Sequence, residues 1–334
     1  MLNDELELLL QAEQWRRAGA GVAIATVIET FGSAPRPVGS HLVVDEAGRF
    51  LGSVSAGCVE GEVIAAAMDV ITEGSSRELA FGVADELAWR VGLSCGGRIA
   101  VLVERLDADR LALLEASNRL SAARRPHAIA TPLEGGAPRL IEASDVFAAA
   151  ADKSGLIEHD GRRWFLEARL PAPRLIVIGA VHVAQALAPM AHIAGFDTIV
   201  VDPRLGYAAA ERFPDCRLDA RWPEEALPAI GLDASTAIVV LTHDPKIDDA
   251  ALRLALASEC CYVGALGSRA THKRRVERLL ASGVERENLA RIKAPIGLDI
   301  GALSPADIAI ATLGEIILER RRKPLRNAAQ ERAA

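Results

Sequence analysis

Two cysteines in glycine-rich surroundings are the residues of this sequence best suited to chemistry. Cys58 ends a run of small residues that begins at Ser53, and the apolar spacing after it predicts a helix over 59–71. Free backbone N–H groups and the helix dipole favour a thiolate at such a position, although Glu60 in the first turn partly cancels that field. A thiolate there can act as a nucleophile, a metal ligand or a carrier of sulfur. The alternative is a small apolar cysteine that packs a tight turn.

The second cysteine of this type, Cys95, is followed by Gly96 and Gly97 and by a predicted strand over 99–104. Two such loops in one domain predict two thiols that face one pocket. The alternative is two unrelated buried cysteines, and both interpretations stay open at this point. The chain has 5 cysteines and no Cys-x-x-Cys pair, so neither a disulfide framework nor a structural zinc site is predicted.

The composition and charge of the chain exclude several classes of protein. With 334 residues the chain is long enough for about two domains, and its net charge of -7 argues against a nucleic-acid-binding protein. Residues 1–10 carry acids and lack a basic cluster, so a signal peptide is not predicted. The apolar stretch 175–196 contains His182, Pro189 and His192 and does not predict a membrane span. A cytoplasmic protein without a membrane anchor is expected.

The elements around the cysteines predict an α/β protein with two domains. Residues 1–170 mix helices with hairpin signals and predict an N-terminal mixed α+β domain. Pro171 and Pro173 mark a linker. Strands and helices then alternate, which predicts a Rossmann-like domain with a doubly wound parallel sheet over 171–322. Residues 323–334 are charged and rich in alanine, and they are predicted to be a disordered tail.

The first turn of the Rossmann-like domain carries an incomplete dinucleotide-binding pattern. Gly179 takes the place of the first glycine, and Asp202 ends the second strand, where an acid binds a ribose hydroxyl. Ala184 is tolerated in place of the third glycine. Val181 replaces the middle glycine, and its branched side chain is expected to obstruct the approach of a pyrophosphate. The architecture therefore fits, while binding of NAD(P) is disfavoured.

Two further groups of residues in this domain have side chains that suit ion binding. Ser268 begins a predicted helix beside Arg269, which suits a phosphate or another anion; the alternative is an ordinary serine cap. His243 follows a predicted strand together with Asp244 and Asp248, at the edge where α/β sheets bind ligands. These side chains predict either a metal or acid–base site or a hydrogen bond within the loop.

Several blocks of the sequence, taken in order, resemble the XdhC/CoxI family, the accessory proteins of xanthine dehydrogenase and related molybdenum hydroxylases. The match extends over nearly the whole chain. The blocks are 32–36, 52–61, 92–97, 174–183, 201–204, 241–243, 264–269 and 295–301. Two departures from the family pattern are the replacement of glycines by Val181 and Ala184, and Ala56 in place of a glycine before Cys58. Ala56 is expected to be tolerated unless its position requires a positive φ.

The resemblance implies a role in the maturation of a molybdenum enzyme rather than in purine oxidation. Proteins of this family are thought to bind the molybdenum cofactor, to protect it and to deliver it to an apo-hydroxylase. They are also thought to support the exchange of its terminal oxo group for sulfur by a cysteine desulfurase-type sulfurtransferase, and they are often homodimers. The residues expected to contact the cofactor are Arg36, Cys58, Glu60, Cys95, Gly96, Gly97, Gly179, His182, Asp202, Ser268 and Arg269.

Under this resemblance the thiols and the glycine turns take different parts of the cofactor. Cys58 or Cys95 is expected to contact molybdenum transiently, because this metal accepts soft sulfur donors. The groups expected at the phosphate are Arg36, Gly96, Gly97, Ser268 and Arg269. Two alternatives are an NAD(P)-binding oxidoreductase that uses the Rossmann-like domain and a thiol redox protein that pairs Cys58 with Cys95.

Overall fold

The computed structural model describes residues 5–32, 34, 36–82, 97–142, 145–147, 153–214 and 216–321. They form two units, Met1–Pro171 and Ala172–Ala334. Cys95, Gly96 and the predicted tail 323–334 lie outside the described residues.

The N-terminal unit is built on an antiparallel sheet that carries helices. Its first elements are α1 (Glu5–Arg17), β1 (Val22–Phe31), β2 (His41–Asp45), β3 (Phe50–Gly52), α2 (Glu60–Glu73), β4 (Arg77–Phe81), β5 (Arg98–Arg105) and α3 (Ala108–Ala122). The strands lie in the order β3-β2-β1-β5-β4, and each neighbouring pair is antiparallel. The central strand β1 is mostly apolar and mostly buried, because neighbouring elements cover both of its faces.

Helix α2 covers one face of this sheet. Its apolar side chains recur every three or four residues and therefore lie along one side of the helix. Val63, Ala67 and Val70 pack against Val27 and Val101 of the sheet, and all five are fully buried. Each valine buried in this way stabilises the unit by about 1.5 kcal/mol or more. The helix ends at Gly74, which has the left-handed conformation typical of a helix C-terminus.

Two of the described loops begin at the same end of this sheet, where strand β5 also starts. Strand β1 ends at Phe31, which pairs with Arg98, the first residue of β5. Strand β3 runs in the same direction as β1, because each is antiparallel to β2, and it ends at Gly52. The loop after Gly52 leads to Cys58, and we call residues 53–59 the first cysteine loop. The other predicted site residues at this end are Arg36 and Gly97.

A second antiparallel sheet lies in the same unit. Its strands are β6 (His127–Pro132), β7 (Arg139–Leu140), β8 (Gly155–His159) and β9 (Arg162–Arg169). They lie in the order β7-β6-β9-β8. Asp160 and Gly161 join β8 to β9 with φ of 52° and 70°, as a primed hairpin turn requires. Phe165 of β9 packs against Ile28 and Leu102 of the first sheet, so the two sheets face each other.

The second unit is a doubly wound α/β domain, which confirms the predicted fold class. Its elements are β10 (Arg174–Ile178), α4 (His182–Ile193), β11 (Asp197–Val201), β12 (Arg217–Asp219), α5 (Pro223–Ile230), β13 (Thr236–Val240), α6 (Pro245–Leu256), β14 (Tyr262–Ala265), α7 (Arg269–Ala281), α8 (Arg286–Leu289), β15 (Ile292–Lys293) and α9 (Pro305–Arg321). The strands are parallel and lie in the order β12-β11-β10-β13-β14-β15. The order reverses between β10 and β13, and ligands of such sheets bind beyond the carboxyl ends of these two strands.

The long apolar stretch of this domain is explained by burial within the protein. Residues 175–196 form most of β10 and all of α4, and β10 is buried along its whole length. Helices cover both faces of a parallel sheet, so its central strands read as continuous apolar runs. Among the described residues, none of the helices has the length and apolar character that crossing a membrane requires.

Candidate functional site

The first cysteine loop is organised by the carboxylate of Glu60. Oε1 accepts hydrogen bonds from Ser53 Oγ at 2.7 Å, Val54 N at 3.2 Å and Ser55 N at 2.9 Å. Oε2 accepts from Ser55 Oγ at 2.5 Å and Gly57 N at 2.8 Å. Burial alone would raise the pKa of Glu60, but the hydrogen bonds from Ser53 and Ser55 outweigh it and lower the pKa to about 2. The ionised carboxylate thus holds the loop in shape.

Ser55 extends this network to the start of α2. Its side chain is buried, and its Oγ accepts hydrogen bonds from the backbone N–H of Cys58 at 3.0 Å and of Val59 at 2.9 Å. Serine in this role satisfies N–H groups that a helix start leaves without a partner. Two N–H groups near the thiol are therefore bound within the loop, in contrast to the free groups that a helix start predicts.

The backbone before Cys58 is left-handed at two successive residues. Ala56 has a φ of 60° and Gly57 a φ of 111°. Ala56 therefore occupies a conformation that costs an alanine about 1 kcal/mol. Its position has the positive φ at which alanine is an unfavourable replacement for the family's glycine. A Cβ added to Gly57, or to Gly61 in the first turn of α2, would contact nothing within 4 Å among the described residues. As far as the described residues show, the outer side of the loop is thus open.

The thiol of Cys58 lies at the border of the core. Its side chain is half-buried and packs against the apolar cluster that α2 forms with the sheet. Ala34 and Ile99 contribute to the same cluster, one from the loop after β1 and one from the start of β5. The first cysteine loop, the loop after β1 and the start of β5 therefore share one apolar cluster with Cys58 at its border.

The other predicted residues of this unit have different positions. Arg36 donates from Nε to the carbonyl of Ser53 at 3.2 Å and from Nη2 to Glu5 at 3.2 Å, so it supports the first cysteine loop. Gly97 is buried just before β5. Since Cys95 lies outside the described residues, a pocket shared by the two thiols stays a prediction.

In the second unit, the turn after β10 touches the turn after β13. Gly179 has a φ of 107°, and a Cβ there would lie 2.5 Å from Cγ2 of Thr242 and 3.2 Å from its backbone N. Only glycine fits so close an approach. Val181 is half-buried before the helix, and His182 is exposed at the first residue of α4. Both turns lie at the point where the strand order reverses.

Asp202 is fully buried and holds the turns around it. One oxygen accepts hydrogen bonds from the backbone N–H of Ala180 at 2.8 Å and from Arg204 Nη2 at 2.7 Å. The other accepts from the backbone N–H and Nε of Arg204. Burial opposes ionisation, but the hydrogen bonds from Arg204 outweigh it and lower the pKa of Asp202. The carboxylate therefore already has partners where a ribose was expected, and Arg204 lies over the ring of Tyr207.

The remaining predicted residues of this unit cap helices or support turns. Ser268 Oγ accepts a hydrogen bond from the backbone N–H of Thr271 at 3.2 Å, which is the geometry of a serine cap. Arg269 is exposed beside it. Asp244 caps α6 in the same way through the N–H of Lys246.

Asp248 is a support for the turn after β13. It is buried and accepts hydrogen bonds from the backbone N–H and hydroxyl of Thr242 and from the N–H of His243. Arg275 lies 3.5 Å from its second oxygen. His243 is thereby held at a φ of 63°, unusual for a residue with a side chain. Within the part of the chain that the structure describes, three or more potential metal ligands are nowhere grouped so as to hold an ion.

Comparison with known proteins identifies the relatives of both units. A family model described as the XdhC Rossmann domain matches residues 175–316, and one described as the XdhC and CoxI family matches residues 15–82. Together the two models cover more than half of the chain. This chain belongs to the XdhC and CoxI family. The predicted resemblance is confirmed, and the matches include both the first cysteine loop and the Gly179 turn.

Individual XdhC relatives match along almost the whole chain. The molybdenum cofactor insertion chaperone PaoD of Escherichia coli (strain K12) is 28% identical over 317 residues, which cover 95% of this chain and 89% of PaoD. A protein of Bacillus subtilis (strain 168), described as a probable xanthine dehydrogenase subunit, is 28% identical over 314 residues, 90% of this chain and 93% of that protein. A crystal structure from Bacillus halodurans, described as a xanthine dehydrogenase, has a TM-score of 0.72 at 25% identity and covers 98% of each chain.

Sequence reasoning missed the two serines that shape the first cysteine loop, Ser53 and Ser55. Ser53 and Ser55 both bond the carboxylate of Glu60, and Ser55 also binds the N–H groups at the helix start. A signal was present, because serines shortly before a helix and a glutamate at its start are typical of reciprocal capping. Arg204 was missed as well, although it lies only two residues after Asp202, and the same spacing pairs Arg221 with Asp219.

Proposed function

We propose that this XdhC-family protein binds the molybdenum cofactor as cargo in the cytoplasm and delivers it to a xanthine dehydrogenase-type molybdenum hydroxylase. We further propose that it protects the cofactor and supports its sulfuration. The observation that carries the proposal is the half-buried Cys58 in a glycine-containing loop that packs, with Ala34 of the loop after β1, against one apolar cluster. The relative PaoD, described as a molybdenum cofactor insertion chaperone, supports it over nearly the full length.

The first cysteine loop suits a carrier because it offers one thiol on a firmly held backbone. Molybdenum bound by a dithiolene accepts a further soft sulfur donor, and the half-buried Cys58 is the residue that we propose for that contact. A closed cage of several ligands would bind the metal too tightly for transfer. A single thiol contact allows release to a client.

The open surface over Gly57 and Gly61 is the position that we propose for the cargo. Neither glycine has a side chain that would obstruct a bulky ligand, and a Cβ at either position would find open space among the described residues. Gly61 lies in the first turn of α2, and a helix N-terminus favours a phosphate group. Arg36 contacts the same loop through the carbonyl of Ser53, and it is able to exchange its contact with Glu5 for a phosphate oxygen.

The proposal is tested by the content of the purified protein. The full chain is produced in a host that makes the cofactor and in a host blocked in its synthesis, and molybdenum and pterin fluorescence are measured per protein. Near-stoichiometric molybdenum and pterin from the first host alone are expected. A folded protein that contains neither, even after incubation with free cofactor, would contradict the carrier role.

Substitution of Cys58 by serine is expected to reduce the retained molybdenum by about tenfold, because the oxygen is a harder and weaker donor for this contact. The melting temperature should stay close to that of the wild type, since serine has nearly the same volume. Cys216→Ser is a matched control, because Cys216 is also half-buried but lies in the second unit. Equal retention by both variants would remove the Cys58 thiol from the mechanism.

The partners that we propose are an apo molybdenum hydroxylase, a cysteine desulfurase-type sulfurtransferase and a second copy of this chain. Light scattering of the purified protein tests the homodimer. Activation of an apo-hydroxylase by the loaded protein, with and without the sulfurtransferase, tests the other two partners. Activation that is identical without the sulfurtransferase would exclude it from the route.

The reversal of strand order between β10 and β13 favours a second candidate function, an oxidoreductase that binds NAD(P). Val181 and the internal partners of Asp202 disfavour it. A thermal titration with NAD and NADP decides between them, because a ligand present at 100 times its Kd stabilises the native state by about 2.7 kcal/mol. An unchanged melting temperature is expected.

A further inference from the structure

Helix α9 contacts its own unit through charged as well as apolar side chains. One side of the helix is buried in the apolar cluster that it shares with α4 and the parallel sheet. Glu315 accepts hydrogen bonds from the hydroxyl of Tyr262 and from the backbone N–H of Gly297. Glu319 lies 3.2 Å from Nζ of Lys293. Both carboxylates in the second half of α9 are therefore used within the unit, whereas a surface helix usually presents its charges to water.

The outer side of α9 carries apolar residues instead of charged ones. Ile310, Gly314 and Leu318 recur every fourth residue, so they lie within about 80° of one another around the helix axis. Ile310 is 53% exposed and Leu318 is 42% exposed. A helix that is apolar on its buried side and on its outer side is typical of a position covered on both sides. The outer side of α9 therefore indicates that a further surface packs there.

Two leucines of the loop before α9 extend this apolar side. Leu298 is 39% exposed, and a Cβ at Gly314 would lie 3.3 Å from its Cδ1, so Leu298 lies beside the middle of the helix. Leu303 is 94% exposed, and its backbone N–H donates to Asp307 in the first turn of α9. A connected apolar surface of this kind is typical of an interaction site. We call this surface the α9 patch, and it comprises Leu298, Leu303, Ile310, Gly314 and Leu318.

The same side of α9 ends in charged residues of opposite sign. Asp307 and Arg321 lie seven residues before and seven residues after Gly314. Ile310 and Leu318 lie four residues before and four residues after it. The order acid, apolar, glycine, apolar, base is therefore evenly spaced about Gly314.

This spacing identifies the kind of surface that fits the α9 patch. In a dimer with twofold symmetry, the same patch of each subunit meets its own copy. Two antiparallel α9 helices that cross at Gly314 would place Ile310 against the partner's Leu318. They would also place Asp307 against the partner's Arg321, so that each acid meets a base. The arrangement of the charges therefore favours a second copy of this chain over an unrelated partner.

We propose that the α9 patch is the interface of a homodimer, with the two α9 helices antiparallel and the twofold axis at Gly314. This inference rests on the homodimer of the proposed function and assigns its contact surface. Gly314 has no side chain, so the two helices approach closely at the axis. From Asp307 to Arg321 the contact is about 21 Å long. It buries less than the about 800 Å² per partner of a standard interface, so the dimer should dissociate on dilution.

Sedimentation velocity of the full chain over a dilution series measures the dissociation constant of the dimer. The wild type is expected to be dimeric at high concentration and monomeric after dilution. Leu318→Ser should raise the dissociation constant by about tenfold or more, because two leucine contacts are lost in each dimer. Leu205→Ser is the matched control, since Leu205 is 76% exposed on the loop after β11. Its dissociation constant should equal that of the wild type.

Cross-linking tests the register of the two helices. The double variant Ile310→Cys/Leu318→Cys should form a covalent dimer on mild oxidation, because each new thiol faces the other position on the partner. The two positions are about 12 Å apart along one helix, so a bridge within one chain is out of reach. Two copies of the same position are equally far apart across the axis. Each single cysteine variant and the wild type should therefore give no covalent dimer.

Salt dependence tests the charged ends of the contact. Arg321→Glu places an acid against the partner's Asp307, so the dimer should weaken several-fold at low salt. High salt screens this repulsion and should reduce the difference from the wild type. Arg274→Glu is the matched control, because Arg274 is exposed on α7 and undergoes the same change of charge. It should leave the dissociation constant unchanged.

The outcomes separate this interface from the rest of the proposed function. If the protein is a dimer but Leu318→Ser and Leu205→Ser dissociate equally, the α9 interface is overturned and the homodimer stands. The same holds if the double cysteine variant is dimeric and does not cross-link. A wild type that is monomeric at every concentration overturns the homodimer and the interface together. The molybdenum content of the same preparations tests the carrier role separately.

Discussion

Replacing Glu60 with alanine is expected to destabilise the N-terminal unit by about 3 kcal/mol and to abolish retention of the cofactor. The carboxylate accepts hydrogen bonds from Ser53, Val54, Ser55 and Gly57, and none of these donors has a substitute acceptor within the loop. Hydrogen bonds to a charged acceptor are worth more than neutral ones, although partial exposure to water reduces their sum. Thermal unfolding together with molybdenum content measures both effects.

The pH dependence of the stability lost in Glu60→Ala shows whether the charge of the Glu60 carboxylate causes that loss. The folded state lowers the pKa of Glu60 from 4.5 to about 2, because the serine hydrogen bonds outweigh burial. Its contribution to stability is therefore complete above about pH 4.5 and is lost as the pH falls toward about 2. The difference in melting temperature between the wild type and Glu60→Ala should shrink over the same interval.

Glu62→Ala is the matched control for this prediction. Glu62 lies in the same first turn of α2, carries the same charge and is exposed. Its replacement is expected to change stability by less than about 0.5 kcal/mol and to leave cofactor retention unchanged. If the two variants lose equal stability, the carboxylate of Glu60 does not organise the loop. If Glu60→Ala unfolds, Glu60→Gln preserves the volume and isolates the loss of charge.

The elements of this protein were readable from its sequence because local patterns fix them. The apolar spacing after Cys58 and the glycine at its end specify α2, and the alternation of buried strands with helices specifies the parallel sheet. The shape of the first cysteine loop was not predicted, although Ser55 and Glu60 are near neighbours in sequence. A carboxylate at a helix start can face either a ligand or its own loop, and the spacing of the residues is the same in both cases.

Long-range pairs were beyond sequence reasoning for a different reason. His41 meets Glu167 because two separate sheets face each other, and each sheet has its own register. Local spacing contains no information about that packing. Asp202 shows that a local pair can be overlooked as well. Its place at the strand end was predicted, but its neighbour Arg204 occupies the carboxylate and so changes what that carboxylate is able to bind.

Replacing Gly179 with alanine is expected to destabilise the second unit by about 3 kcal/mol. The φ of 107° accounts for about 1–2 kcal/mol, because a side chain is unfavourable in that conformation. The remainder comes from overlap, since the new Cβ would lie 2.5 Å from Cγ2 of Thr242. Denaturant unfolding measures the total, and the Gly179 turn should move away from the turn after β13.

Two further variants separate the contributions of conformation and overlap. Gly283→Ala is the matched control, because Gly283 has a φ of 90° while a Cβ there meets nothing within 4 Å among the described residues. It should lose about 1 kcal/mol. Thr242→Ser removes Cγ2 and keeps the hydroxyl that bonds Asp248. The double variant Gly179→Ala/Thr242→Ser should therefore recover about 1 kcal/mol relative to the sum of the single losses. If the losses of unfolding free energy in the two single variants simply add up in the double variant, the two turns do not touch in solution. The crevice at the reversal of strand order would then lack a rigid contact between its two turns.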